Sequence, residues 1–164
     1  MPVKFKTGDM FESEAQAICN AVNCVGVMGA GLAAAFARRY PDMNEDYKRA
    51  CEAKTLVPGG IHVYSLDLDQ YIFNVATKDH WMQDSQYQWI VDGLKNIATQ
   101  AEKLGITSVA VPGSGCGLGA FALRRVKTTV ERGARGNWGR VKKIVEEVAA
   151  EHWQNLDVEV YEPQ

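Results

Sequence analysis

At 164 residues, 46% apolar and 23% charged, the chain is large enough to bury one core without staples and has the composition of an ordinary soluble domain. No apolar run approaches the roughly 20 residues a membrane helix needs, and Met1-Pro2-Val3-Lys4-Phe5-Lys6 has no signal-peptide core, so a cytoplasmic protein without membrane contact is expected. The net charge of −2 conceals a basic stretch: residues 124–143 hold eight basic side chains against Glu131 alone, which argues for a local anionic partner.

In chain order, Val3-Lys4-Phe5-Lys6 alternates apolar and charged residues as an edge strand does, and Gly8-Asp9 turns the chain out of it. Residues 17–22 read as a buried strand. Behind it comes Asn23-Cys24-Val25-Gly26-Val27-Met28-Gly29-Ala30-Gly31-Leu32, a glycine-rich turn that opens a helix over 31–40, with Arg38 and Arg39 in its last turn and Pro41 as its stop. A second short helix is expected over 44–53, broken by Pro58-Gly59-Gly60. Residues 61–64 and 71–76 read as strands joined across an Asp-rich turn. Ile90, Leu94, Ile97, Ala101 and Leu104 fall at helical spacing over 87–104, and Gly105 ends that helix. Residues 108–111 form the next strand, followed by the second glycine turn, Pro112-Gly113-Ser114-Gly115-Cys116-Gly117-Leu118-Gly119. Residues 126–130 read as helical, 133–139 as a break, 141–153 as an amphipathic helix and 157–161 as a closing strand. Strands alternating with helices predict a three-layer α/β/α sandwich.

The two glycine turns carry most of the functional signal. Glycine leaves backbone N–H groups bare and lets a ligand approach closely, and a helix N-terminus behind such a turn adds partial positive charge. Two such turns at neighbouring strand ends suit a diphosphate. Tight strand-to-helix connections with no ligand are the plain alternative for each. No Gly-Lys-Ser/Thr follows either turn, which excludes a Walker loop, and the match of residues 29–34 to a dinucleotide fingerprint is loose. Cys19, Cys24, Cys51 and Cys116 lack the spacing of a zinc site and are expected to be reduced. Cys116 could serve as a nucleophile, but His62, His80 and His152 are scattered and none is an obvious partner. The sequence calls for no metal and no cofactor.

With these turns in place, the chain resembles the macro domains, an ADP-ribose-binding family. The resemblance rests on Thr7-Gly8-Asp9-Met10-Phe11, on residues 20–33 (Asn-Ala-Val-Asn-Cys-Val-Gly-Val-Met-Gly-Ala-Gly-Leu-Ala) and on residues 113–118 (Gly-Ser-Gly-Cys-Gly-Leu). The run Asn74-Val75-Ala76-Thr77-Lys78-Asp79-His80-Trp81 is similar to the branch that contains DarG antitoxin macro domains and the terminal ADP-ribose glycohydrolase. The resemblance spans nearly the whole length as one domain over 1–164 and implies a mixed central sheet.

The resemblance also implies roles. Asp9 would accept from the adenine amino group, with Met10 beside it; a turn-forming aspartate is the alternative. Asn20 and Asn23 end a buried strand where polar side chains need partners. Asn23 would face the ribose bearing the scissile bond, or cap the turn, or both. Val27, Met28, Gly29, Ala30, Gly31 and Leu32 would cradle one side of the diphosphate, and Ser114, Gly115, Cys116, Gly117 and Leu118 the other. Lys78, next to Thr77 at the end of an apolar strand, would be catalytic, because a lysine beside a partly desolvated pocket can lose its proton and act as base or nucleophile. Surface solvation is the alternative for a Thr-Lys-Asp run. His80 and Trp81 read as a helix-start cap and a core anchor.

Two departures bear on mechanism. Gly119 stands where the human member of the branch has an acid, so a covalent lysyl–sugar route that needs that acid is not supported, and the chain looks more like the DarG type. Residues 120–135 look like a basic insertion before Asn137-Trp138, and Arg124, Arg125, Lys127 and Arg132 would contact nucleic acid. The resemblance therefore implies an ADP-ribosyl hydrolase acting on ADP-ribosylated thymidine in single-stranded DNA, with a cognate ADP-ribosyltransferase toxin as a candidate partner. A non-catalytic ADP-ribose reader is one alternative. A hydrolase acting on modified protein, ADP-ribose esters or an ADP-ribose phosphate is another.

Overall fold

The structure, a computed structural model, describes residues 3–83, 85–113 and 138–162. Its strands are β1 (Val3–Lys6), β2 (Ala17–Val22), β3 (Ile61–Asp67), β4 (Gln70–Ala76), β5 (Ser108–Pro112) and β6 (Asp157–Tyr161). They form one six-stranded sheet in the order β1-β6-β5-β2-β4-β3. All neighbours pair parallel except β3, which runs antiparallel to β4, so the sheet is mixed. The alternating strand Val3–Lys6 does lie at an edge, and β2, apolar but for the buried Asn20, lies between β5 and β4.

Helices α1 (Gly31–Arg39) and α2 (Pro41–Glu52) cover one face; α3 (Tyr87–Leu104) and α4 (Trp138–His152) cover the other. The period-two alternation of strand side chains sorts residues between them. Cys19, Phe73, Val75, Val109 and Val111 join Ile90, Leu94, Ile97, Val141 and Val145 on the α3/α4 side. Val22, Ile72, Ala76 and Ala110 join Phe36, Met43 and Tyr47 on the α1/α2 side. Trp153 is fully buried and its Nε1 donates to Leu94 O at 3.1 Å, which satisfies the one polar atom of the largest core residue.

Boundaries differ from expectation where a residue has two readings. Pro41 does not stop α1 into a loop; it is the first residue of α2, three positions before the expected start. A missing N–H suits the first helical turn as well as it suits a break. Strand β3 runs to Asp67 because pairing with β4 continues to Asp67↔Gln70. Helix α4 begins at Trp138, so Gly139 lies inside it rather than in a break. The second glycine turn with Ser114, Gly115, Cys116, Gly117 and Leu118, the insertion with Arg124, Arg125, Lys127 and Arg132, and the helix expected over 126–130 lie outside the described residues.

Candidate functional site

Parallel pairing between β2 and β4 stays in register through Val22↔Ala76, so both strands leave the sheet side by side. The loops that follow are laced together. Thr77 N (3.1 Å) and Lys78 N (3.3 Å) donate to Val22 O, and Cys24 N donates to Asp79 O at 3.0 Å. The turn after β2 is held by Asn23. Its Oδ1 accepts from Val25 N (3.1 Å) and Val27 N (3.3 Å), and its Nδ2 donates to Val27 O at 2.8 Å. The Tyr47 hydroxyl reaches Asn23 O at 2.7 Å and Oδ1 at 2.9 Å. Gly26, at φ +87°, supplies the left-handed residue that the turn requires.

Between these loops and the start of α1 lies a cleft of about 270 Å³, lined by Ala21, Val22, Asn23, Val27, Gly29, Ala30, Ala33, Thr77, Lys78 and Trp81. Lys78 is only 6% exposed. Thr77 Oγ1 is buried with no hydrogen-bond partner among the described residues. A buried orphan hydroxyl costs free energy, which marks this wall as one that expects a polar ligand or water. Ala30 precedes α1 without a side-chain cap, so among the described residues no cap side chain serves the first N–H groups of that helix. A Cβ on Gly29 would meet only Val27 Cγ1, at an ordinary 3.5 Å, so packing within the described chain does not call for glycine there.

The sequence-selected residues fall into three groups. Asn23, Val27, Gly29, Ala30, Thr77 and Lys78 converge on the cleft, with Gly31 and Leu32 opening α1 beside them. The Asn23 oxygen is engaged in the turn, which is the capping role weighed for it. Asn20, Met10 and Met28 are buried beneath rather than in the lining; Asn20 Nδ2 donates to Asn74 Oδ1 at 3.1 Å and lies 3.7 Å from Met28 Sδ. Asp9 is exposed after β1 and its Oδ1 accepts from Phe11 N at 2.9 Å, capping the 3-10 turn Met10–Glu12.

Two expectations are corrected. Trp81 is not a core anchor: it lines the cleft, 37% exposed, with its ring stacked on His80 at 5.5 Å and 29°. Its isolation from any apolar periodicity was the available signal. His80 Nδ1 accepts from Met82 N at 3.1 Å, a turn rather than a helix start. Burial and the Asp79 charge push the Cys24 thiol up to about 12, so at neutral pH it is a thiol and not a nucleophile. Of the basic residues near the insertion, Arg140 lies over the Tyr87 ring (3.7 Å), and Lys142 over Phe5 (4.4 Å) and 3.4 Å from Glu162, so these two serve the fold.

The fold agrees with comparison to known proteins. The chain is 35% identical over 98% of its length to a DNA ADP-ribosyl glycohydrolase of Thermus aquaticus, and covers 41% of that protein. It is 36% identical over 70% of its length to a DNA ADP-ribosyl transferase–DNA ADP-ribosyl glycohydrolase fusion protein of Thermosipho africanus, and covers 34% of it. The chain thus spans less than half the length of these relatives. Its fold superposes on the macrodomain of Mycobacterium tuberculosis DarG with a TM-score of 0.83 at 32% identity, over 99% of this chain and 98% of that one. Residues 19–130 match the Macro domain family, and with a fold shared end to end at that identity, the chain belongs to it.

Proposed function

We propose that this domain is a hydrolase that removes ADP-ribose from DNA, with thymidine in a single strand as the modified nucleotide. The carrying observation is Lys78: a lysine amine at the end of β4, 6% exposed, in the wall of a cleft shared with the glycine turn. A module that only reads ADP-ribose has no need of an amine there. The names of the relatives from Thermus aquaticus and Thermosipho africanus support the DNA acceptor and a transferase as the enzyme whose product is consumed.

In this reading the diphosphate lies against Gly29, Ala30 and the N-terminus of α1, and the distal ribose reaches Asn23, Thr77 and Lys78. Hydrolysis breaks the bond between the anomeric carbon and the base. Water supplies the oxygen to the sugar, and the departing base takes the bonding pair and a proton. The Lys78 amine, in its unprotonated form, takes the water's proton as the oxygen attacks the anomeric carbon. Trp81 and Val27, exposed at the mouth, give the departing base an apolar surface. Arg124, Arg125, Lys127 and Arg132 are the proposed phosphate contacts for the strand.

Incubation with ADP-ribosylated single-stranded DNA and with ADP-ribosylated protein, side by side, tests the acceptor. Release from DNA at the higher rate is expected. Lys78→Ala should abolish release while ADP-ribose affinity stays within about threefold, since a residue that acts in the transition state is not required for ground-state binding. Lys78→Arg should also fail, because a guanidinium does not give up its proton. Wild-type turnover by Lys78→Ala would show that another group, such as Asn23 or a substrate-positioned water, carries the reaction; no release by the wild type from either substrate would leave the reader alternative.

A further inference from the structure

A line of polar side chains crosses three adjacent strands beneath the cleft. The β2–β4 register sets Asn20 opposite Asn74, and the β3–β4 register sets His62 opposite Asn74. Asp46 of α2 meets the far end. The contacts are Asp46 Oδ2 to His62 Nε2 at 2.7 Å, His62 Nδ1 to Asn74 Nδ2 at 3.0 Å, and Asn74 Oδ1 to Asn20 Nδ2 at 3.1 Å. Asn20 and Asn74 are fully buried, and the His62 side chain is 9% exposed.

We infer that Asp46 and His62 are positioning residues for the cleft, fixing the donor–acceptor order of this line down to the glycine turn at Met28. A carboxylate can only accept, so His62 Nε2 carries a proton, and in the neutral imidazole Nδ1 is then bare. The bare nitrogen accepts, so Asn74 presents Nδ2 to it and Oδ1 to Asn20. Asn20 then donates through Nδ2, which also touches Met28 Sδ at 3.7 Å between the cleft-lining Val27 and Gly29. Its Oδ1 is left without a partner among the described residues. The dipole order of two buried amides is thus dictated from a half-exposed carboxylate.

Protonating His62 reverses the order. Nδ1–H then faces Asn74 Nδ2, donor against donor, and burial admits no water to mediate. Relief requires the Asn74 amide to turn over, then that of Asn20, which withdraws Nδ2 from Met28. The groups that face His62 and bias this step are Asp46 and the Tyr47 ring edge (6.2 Å) from α2, with Arg49 on Asp46 at 3.2 Å, and Asn74 from β4. His62 bonding is also what holds the Asp46 carboxyl below the usual carboxylate range, with Arg49 adding to it.

The inference rests on the cleft being the ADP-ribose site, and the test separates the two. In histidine-labelled protein, nitrogen NMR should report His62 as the Nε2–H form with a bare Nδ1; an Nδ1–H form overturns the proposal without reference to any ligand. Calorimetry with ADP-ribose should show His62→Leu, which removes both the donor to Asp46 and the acceptor for Asn74, binding about fivefold or more weaker than the wild type, the scale of one unmade buried hydrogen bond. His62→Gln, which can donate to Asp46 and accept from Asn74, should keep the affinity. Should His62→Gln not fold, Asp46→Asn at its half-exposed position is the second variant. Its amide permits either order, so His62 should show both tautomers and affinity should drop a few-fold. A His62→Leu affinity equal to the wild type's, or unchanged tautomer and affinity in Asp46→Asn, refutes the relay. Absence of ADP-ribose binding by the wild type refutes the reading of the cleft instead, and the tautomer alone then decides the relay.

Discussion

At the scale of single residues, Gly29 separates a ligand requirement from a folding requirement. Its φ is not in the left-handed region, and a Cβ would touch only Val27 Cγ1 at 3.5 Å, yet it lines the cleft. Gly29→Ala should therefore fold with an unchanged melting temperature. It should lose about tenfold or more in ADP-ribose affinity, the cost of holding the ligand off its backbone partners. Equal affinity by calorimetry would remove the glycine turn from the binding surface. Asn23, Thr77 and Lys78 were legible in the sequence because their signal is local: polar residues directly after an apolar strand have nowhere to go but the end of the sheet. Trp81 was misread for the complementary reason. Burial is the usual fate of tryptophan, and that prior outweighed the lack of any apolar periodicity around Trp81.

At the scale of elements, α3 approaches the sheet through Gly93. A Cβ there would sit 2.6 Å from Val75 Cγ1, and Val75 is a β-branched strand residue with little freedom to turn aside. Alanine gains about 1 kcal/mol in helix propensity over glycine, while forcing a methyl into a packed interface costs about 1–3 kcal/mol. Gly93→Ala should thus lower stability by a net amount on the order of 1 kcal/mol, read from chemical denaturation; a more stable variant would show that α3 is free to shift. The helices themselves were legible from spacing, as with Ile90, Leu94, Ile97 and Ala101 on the buried face of α3. Their ends were not, because Pro41 and Gly139 each suit two positions.

At the scale of the molecule, strand order was beyond the sequence. Nothing local tells that β6, the last strand, inserts between β1 and β5. The line from Asp46 to Asn20 was invisible for the same reason, since it needs the registers of three strands at once. The β1–β6 edge is fastened by Glu159, which receives Lys6 Nζ at 2.6 Å and Ser13 Oγ at 2.5 Å. These bonds, Lys6 first, hold the Glu159 carboxyl below the usual carboxylate range. A depressed folded value stabilises the native state in full above the unfolded carboxylate value, and that stability is lost as pH falls through the folded one. The melting temperature of Glu159→Gln should therefore fall less steeply than that of the wild type on acidification; parallel curves would show that the edge contact contributes nothing.

The hydrogen bonds that lace the loop after β2 to the loop after β4 also fix how the cleft breathes. Cys24 N reaches Asp79 O, and Thr77 N and Lys78 N share Val22 O, so neither loop can lift without freeing donors on the other. The two behave as one cooperative opening unit, and their amide protons should exchange with deuterium at a common rate. ADP-ribose held against the turn alone should slow exchange at Thr77 and Lys78 as much as at Cys24. A slowing confined to Cys24 would show two independent flaps.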